Sequence, residues 1–315
     1  MFLINIINKI RKIISEFRYY QPDLGWWNTI IFVVVKRVSK NYYERFILDI
    51  IDKKYRSIFL SKEPIMTQPC SQNLQKEKTI WVFWEQGYEN APEIVKHCIS
   101  SVKKNAGNSH VVLLDIDNYS EYIKLPQYII EKFNKGIIKS AHFSDILRVC
   151  LLNRYGGLWI DATIYVSGEI PKELFEYQFY TRKTSRLGGV NIANGYWATY
   201  LLSSQPHCVL MSILQDFLFQ YWKDMNRAID YWLFDYAIYY AYTNNLDVKN
   251  IIDKVPDNNE RIYELHEKMN ENSTDESLKN LFDSTLFHKL KWRATYKEST
   301  KIGQETHYKV IKDLK

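Results

Sequence analysis

Two short apolar runs separated by one amphipathic stripe set the architecture. The run TIWVFW (79–84) reads as a buried strand ending in the turn-like EQGYENAP, and HVVLLD (110–115) reads as a second strand. Between them, from about Pro92, Ile94, Val95, Cys98, Ile99 and Val102 recur at the spacing of one helix face. Strand, helix and strand in that order make a parallel pair with a right-handed crossover, because only that hand lets a twisted strand and a helix pack back onto one sheet. In open α/β sheets ligands gather beyond the carboxyl ends of the strands. Trp84, Glu85, Gly87 and Asp115 are therefore expected at the rim of a crevice.

The segment KSAHFSDILRVCLLNRYGG (139–157) reads as the next helix, with Ser140 as N-cap and Gly156 as its stop. Asp145 and Arg148, three residues apart, share a face of this otherwise apolar helix. The segment GGLWIDATIYVSG (156–168) then alternates as a strand: Leu158, Ile160 and Ala162 to one side, Trp159, Asp161 and Thr163 to the other. Residues at i and i+2 of a strand lie about 7 Å apart. That spacing suits two oxygen ligands around a hydrated divalent cation and a diphosphate. The plain structural readings are a half-exposed strand with an incidental acid and an intrahelical ion pair. Farther on come two aromatic-rich helices (206–222 and 228–242), an acidic mobile stretch (270–280) and FHKLKW (287–292).

At 315 residues the chain suits one large domain with an appendage. Its aromatic share, 15% with 24 Tyr and 9 Trp, favours a sugar or nucleotide ligand, since rings stack on both. Net charge is +6, but residues 1–62 hold 12 Lys/Arg against 5 Asp/Glu, leaving 30 basic and 31 acidic residues for the rest. All the excess positive charge therefore sits in the N-terminal fifth, which argues against nucleic acid as partner and for a basic appendage meeting an anionic surface. There Phe2, Ile6, Ile10, Ile13, Ile14 and Phe17 recur at helical spacing among Lys9, Arg11, Lys12 and Arg18, and YYQPDLGWW (19–27) breaks the helix at Pro22 and Gly25. A helical cap docked on the catalytic domain and a monotopic membrane anchor both fit this pattern. The apolar run 30–35 is too short to span a bilayer. Cys70, Cys98, Cys150 and Cys208 form no C-x-x-C pair, so neither a zinc site nor a disulfide framework is indicated, and a reducing cytoplasm is the default. The expected organisation is a helical extension (1–62), a linker (63–78) and one domain (79–315).

The stretch SDILRVCLLNRYGGLWIDAT (144–163) resembles the SD-x-x-R…YGG-x-[YW]-x-D-x-[DT] signature of GT-A glycosyltransferases with a DXD-type sugar-binding region. TIWVFWEQG (79–87), SSVKKNAGNSHVVLLDIDNY (100–119) and AHFSDILR (141–148) extend the likeness to the bacterial capsular polysaccharide synthesis proteins, with the clostridial toxin glucosyltransferases as distant relatives. The resemblance covers residues 79–200, continues loosely to FHKLKW, and leaves 1–62 unexplained. It implies a GT-A-like fold, a Rossmann-like mixed sheet flanked by helices, here with an N-terminal helical extension.

By the same resemblance, Asp145, Arg148 and Asp161 carry the catalytic role. Asp145 and Arg148 bond hydroxyls of the donor sugar, Trp159 lies beside the donor, and Asp161 meets ribose and metal. Trp81 and Trp84 sandwich the nucleobase. Thr163 stands where many relatives have the second Asp, the direct metal ligand, so the implied cation, Mn²⁺ or Mg²⁺, has one certain carboxylate. His288 is a candidate for completing the metal or phosphate site; the alternative is a surface or core histidine. Asn194 and Asp235 are acceptor-side candidates, Asp235 alternatively being a helix residue bonded to a tyrosine. The implied function is transfer of a hexose from a nucleotide sugar, a UDP-sugar, to a glycan or lipid-linked glycan in capsular or surface polysaccharide assembly. Retention at the anomeric carbon is implied, with the enzyme cytoplasmic and peripheral on the inner face of the cell membrane. A catalytically inactive sugar-binding or scaffold protein of the same assembly complex is the alternative.

Overall fold

A computed structural model describes residues 2–60, 78–189 and 191–313. The expected linker lies outside them except for Lys78. The chain opens with α1 (Phe2–Val38) and α2 (Lys40–Leu60). Helix α1 is folded back on itself at Gly25, whose φ of 76° and ψ of 170° fall in a region that only glycine adopts without strain. Glu16 before the bend pairs with Lys36 at 2.8 Å and Arg37 at 2.6 Å after it, so the two arms run antiparallel. Of the two expected breakers, Gly25 makes the turn while Pro22 stays within the helix.

Then follow β1 (Thr79–Phe83), α3 (Glu93–Asn105), β2 (His110–Leu114), α4 (Gln127–Asn134), α5 (Ser140–Tyr155), β3 (Gly157–Ile160), β4 (Ile164–Val166), β5 (Phe179–Thr181) and β6 (Leu201–Ser204). The last third holds α6 (Val209–Asp224), α7 (Leu233–Asn244), α8 (Leu246–Asp253), α9 (Glu264–Lys268), α10 (Asp275–Ser284), β7 (Phe287–Lys289) and α11 (His307–Asp313). The main sheet has the order β2-β1-β3-β6-β5. Strand β1 pairs in parallel with β2, Thr79 opposite His110, and with β3, Trp81 opposite Trp159; β6 and β5 are antiparallel. The βαβ unit is thus as expected, with the apolar stripe of α3 buried, and the mixed sheet flanked by helices matches the expected fold class.

Three local expectations change. Ser140 begins α5 rather than capping it; the cap position is Lys139, with no side-chain cap bond. The stretch 270–280, expected as acidic and mobile, contains the start of α10, where Thr274 and Ser277 form a reciprocal capping box. The strand entered from Gly157 stops at Ile160, because the chain turns at Asp161–Thr163 and re-emerges as β4, which pairs with β7 in a separate two-stranded sheet.

Helix α5 covers the sheet, buried around most of its circumference, and α6 packs over it. On that layer sits α2, burying Ile47, Ile50, Ile51, Tyr55, Ile58 and Phe59. Tyr55 packs on Phe217 and Tyr221, and Phe59 on Phe217 and Tyr240. At about 1.5–3 kcal/mol gross for each such side chain, the six contribute on the order of 9–18 kcal/mol before chain entropy. Detaching α2 would expose this continuous apolar face and the aromatic surface of α6 and α7 it covers, so α2 is part of the fold rather than a detachable handle. The cap reading therefore describes α2. Helix α1 is different: near its bend Asp23 pairs with Arg227 at 3.0 Å, while Trp26 and Trp27 stay 66% and 79% exposed. Among the described residues no helix is long and apolar enough to cross a membrane.

Candidate active site

Chain geometry brings Arg148 and Asp161 together. Gly156 ends α5 with φ 68°, and the path doubles back into β3. Gly157 (φ 98°) has to be glycine, since a Cβ there would lie 2.4 Å from the Thr79 carbonyl oxygen on β1. Eight helical residues back from Gly156 is about 12 Å, and four strand steps on from Gly157 is about 13 Å. Residues 148 and 161 therefore finish at the same height, at the carboxyl end of β3. There the Asp161 N–H donates to the Tyr200 carbonyl at 2.9 Å, and the Asp161 carbonyl accepts from the Ile164 N–H at 2.9 Å.

Arg148 is the hub. Its guanidinium pairs with Asp145 Oδ1 at 3.1 Å and with Asp161 Oδ1 at 3.3 Å, and it donates to the Thr199 carbonyl at 2.7 Å and to Ser144 Oγ at 3.3 Å. The Trp159 ring lies 5.0 Å from the guanidinium carbon, and the Trp159 indole N–H donates to Asp161 Oδ1 at 3.0 Å. The other oxygen of Asp161 meets Lys289 Nζ at 3.0 Å, and that ammonium also donates to Thr163 Oγ1 at 2.6 Å. Burial by itself would raise the Asp161 carboxyl; Lys289 and Arg148 more than reverse this and hold it below the ordinary carboxylate value.

Of the expected site residues, Asp145, Arg148, Trp159, Asp161 and Thr163 do converge. Arg148 is buried and engaged with protein groups, so it positions the two carboxylates. Trp84 stands at the rim, half-buried, its ring 5.7 Å from Trp292 in an edge-on contact. Asp115 is at the same rim, its Oδ1 accepting the N–H groups of Asp117 and Asn118 at 2.9 Å each. Asp235 lies close enough to feel both Asp145 and Arg148. It is buried and bonded to the Trp197 indole N–H at 3.0 Å, not to a tyrosine. Burial first, and the Asp145 charge second, push its carboxyl up to about 7.

Among the described residues, three candidates share no side-chain hydrogen bond, ion pair or ring contact with this cluster. Trp81 is fully buried under α5, its indole N–H donating to the Gly156 carbonyl at 2.9 Å and its ring packed on Tyr122 and Tyr155; it is core, not a base-stacking wall. Asn194 has a left-handed backbone (φ 46°), and its Oδ1 accepts the Gly189 N–H at 3.1 Å, so it shapes its own loop. His288 is fully buried against Tyr165 and Phe282, with Nε2 3.1 Å from Ser167 Oγ, and burial lowers its pKa to about 4. It does not join Asp161, because adjacent strand residues face opposite ways: on β7 the site receives Lys289. Sequence reasoning missed Lys289, and also Trp292. Both lie in the FHKLKW segment, but only the β4–β7 register, Ile164 opposite Lys289, shows which side chain faces Asp161.

These residues do not fit a divalent cation. Asp161 is a single carboxylate with both oxygens paired, Thr163 is a neutral hydroxyl already accepting from Lys289, and His288 is in the core. Among the described residues no three His, Cys, Asp or Glu side chains cluster as a metal site.

The sequence profile of the capsular polysaccharide synthesis protein family matches residues 28–311. The chain belongs to that family. The match begins within α1 and so takes in α2 and its packing on the helical layer. Curated relatives of this family member include the O-glycosyltransferase braB of Annulohypoxylon truncatum, 36% identical over 96 residues, 27% of this chain and 23% of the relative. Another is the O-glycosyltransferase PaGT of Phomopsis amygdali, 27% identical over 123 residues, 33% of this chain and 30% of the relative. The matches thus span under a third of these relatives' length. Among solved structures, the PaToxG glycosyltransferase superposes with a TM-score of 0.37 at 14% identity, over 76% of this chain and 92% of the other. The bifunctional glycosyltransferase WbbM superposes at 0.39 and 10% identity, over 78% and 50%. Both likenesses are too loose to argue from.

Proposed function

We propose that this protein is a glycosyltransferase that moves a hexose from a nucleotide diphosphate sugar, a UDP-sugar, to a hydroxyl of a glycan or lipid-linked glycan in capsular or surface polysaccharide assembly. The observation that carries the reading is the Asp161 carboxylate, held anionic by Arg148 and Lys289 at the carboxyl end of a parallel strand. Fixed, charged hydrogen-bonding groups in a partly dry site are what recognition of a polar sugar requires. In this reading the nucleobase rests at the Trp84–Trp292 rim, and Asp145 and Asp161 bond sugar hydroxyls. The bond from the anomeric carbon to the diphosphate oxygen breaks with its electron pair leaving on that oxygen. The acceptor oxygen bonds to the anomeric carbon from the same face, and its proton passes to the departing phosphate.

The outer surface of α1 supports a peripheral position on an anionic membrane, the cytoplasmic face of the cell membrane. Trp26, Trp27, Ile10, Ile14, Ile31 and Val34 are exposed there, on a segment that also carries Lys9, Arg11 and Lys12. Aromatic and apolar groups beside lysines suit the headgroup layer, each basic residue adding up to about 1 kcal/mol. Full-length protein should float with anionic vesicles at low salt and be released by high salt. Trp26→Ser with Trp27→Ser should weaken binding several-fold; equal flotation with neutral and anionic vesicles would contradict the charge argument.

The deciding experiment is a thermal-shift screen against nucleoside diphosphates and nucleotide sugars, followed by transfer assays with the selected donor and pooled glycan acceptors. Selective stabilisation with turnover supports the proposal. Selective stabilisation without hydrolysis or transfer would instead favour the sugar-binding scaffold.

A further inference from the structure

Lys289 occupies the position, between Asp161 and Thr163, that a divalent cation would need. Its ammonium lies 3.0 Å from Asp161 Oδ2 and 2.6 Å from Thr163 Oγ1, with the Tyr200 ring 5.1 Å away. The backbone fixes it there: the Lys289 N–H donates to the Ile262 carbonyl at 2.8 Å, and the next N–H, of Leu290, to the Thr163 carbonyl at 2.9 Å. The side chain is 21% exposed. An ammonium has three donors, and two are committed here, leaving one for an incoming anion. Arg182 brings a second cation to the same wall, its guanidinium carbon 5.7 Å from the ring of Tyr263, whose hydroxyl is 3.0 Å from that of Tyr200.

We infer that Lys289, clamped between Asp161 and Thr163, is the resident cation of the donor site and pairs with the donor diphosphate in place of a divalent metal. This rests on the glycosyltransferase reading and specifies how its leaving group is handled. When the bond from the anomeric carbon to the diphosphate oxygen breaks, the electron pair remains on that oxygen, and Lys289 donates a hydrogen bond to the diphosphate without giving up its proton. The acceptor proton goes to the departing phosphate, so charge and atoms balance without a metal. The same arrangement explains why a threonine suffices at position 163: it accepts from an ammonium, whereas a second carboxylate would serve a dication.

The test is calorimetry of the full chain with pyrophosphate and with UDP, each in excess EDTA and again in Mn²⁺, alongside spin-resonance titration of free Mn²⁺. In the wild type, affinities in EDTA and in Mn²⁺ should agree within about threefold. Lys289→Met should weaken pyrophosphate binding in EDTA by about tenfold or more, and Lys289→Arg should keep most of it. Melting curves show that Lys289→Met is folded, and the arginine variant repeats the test with the charge retained. Binding that needs Mn²⁺, or a Lys289→Met protein that binds like the wild type in EDTA, would overturn the inference. Failure of pyrophosphate, UDP and every other nucleoside diphosphate to bind in either condition would overturn the donor reading beneath it.

Discussion

Two carboxylates lie within the field of Arg148, Asp161 after β3 and Asp235 in the first turn of α7, and they are held in opposite states. Burial raises both. At Asp161 the rise is reversed by Lys289 and Arg148 within hydrogen-bonding distance, with the Trp159 N–H added, and the group stays an anion. At Asp235 the nearby charge of Asp145 adds to the effect of burial, and the Trp197 N–H with a more remote Arg148 cannot offset them, so the carboxyl exchanges its proton near pH 7. What a buried acid does is thus decided less by depth than by which groups touch it. Asp161 is thus held as an anion, whereas Asp235 keeps its proton up to about pH 7.

Removing the permanent charge should have the largest effect. Asp161→Asn is expected to cut kcat/KM by on the order of a hundredfold or more, and circular dichroism should show the fold retained. Near-normal kcat/KM would place the donor contact elsewhere.

Arg148→Lys probes both carboxylates at once, since an ammonium cannot reproduce the fork that reaches Asp145, Asp161 and Thr199 together. Buried pairs broken from one side lose about 3–5 kcal/mol, and retention of the charge should reduce this to roughly 2 kcal/mol. Denaturant unfolding measures the loss, and activity should fall with it. An unchanged midpoint would mean that Asp145 and Asp161 keep their places without the guanidinium.

The effect most diagnostic of the contrast is a slope with pH. Asp235 has its folded pKa raised to about 7, against about 4 when unfolded. Below pH 4 both states are protonated and no penalty exists. Between pH 4 and 7 the unfolded chain releases a proton that the folded chain keeps, so stability falls as pH rises, and above 7 the loss is constant at no more than roughly 4 kcal/mol. Asp235→Asn keeps an acceptor for Trp197 and should flatten that slope, gaining stability at pH 8 relative to pH 5. Asp161 works in the other direction: its lowered pKa supports the fold above about pH 4 and that support is lost on acidification. A wild-type pH–stability curve flat from pH 4 to 7, unchanged in Asp235→Asn, would remove the distinction.

Much of the sheet could be read in advance. The β1–α3–β2 unit, the Gly156 stop and the Asp145–Arg148–Asp161 convergence all follow from local periodicity and from the turn imposed by Gly156 and Gly157. The misplacements of Trp81 and His288 share one cause. Trp81 and Trp84 look alike three residues apart on one apolar run, yet Trp81 is under α5 and Trp84 is past the strand's end. His288 and Lys289 are neighbours, and the residue with the richer ligand chemistry turned inward. Alternation told which residues share a face, but not which face meets the core or the site.

Local sequence determined the parallel order of β1 and β2, the doubling back at Gly156 and Gly157, and the bend at Gly25, because each depends on a helical or strand repeat or on backbone angles that few residues adopt. Only the tertiary structure decided that α2 belongs to the core, that Asp235 hangs from Trp197, and that Lys289 rather than His288 stands beside Asp161. Those outcomes depend on contacts between segments more than a hundred residues apart for α2 and Lys289 and 38 apart for Asp235, where register and burial are chosen by the packing of the whole chain and no local repeat carries the information.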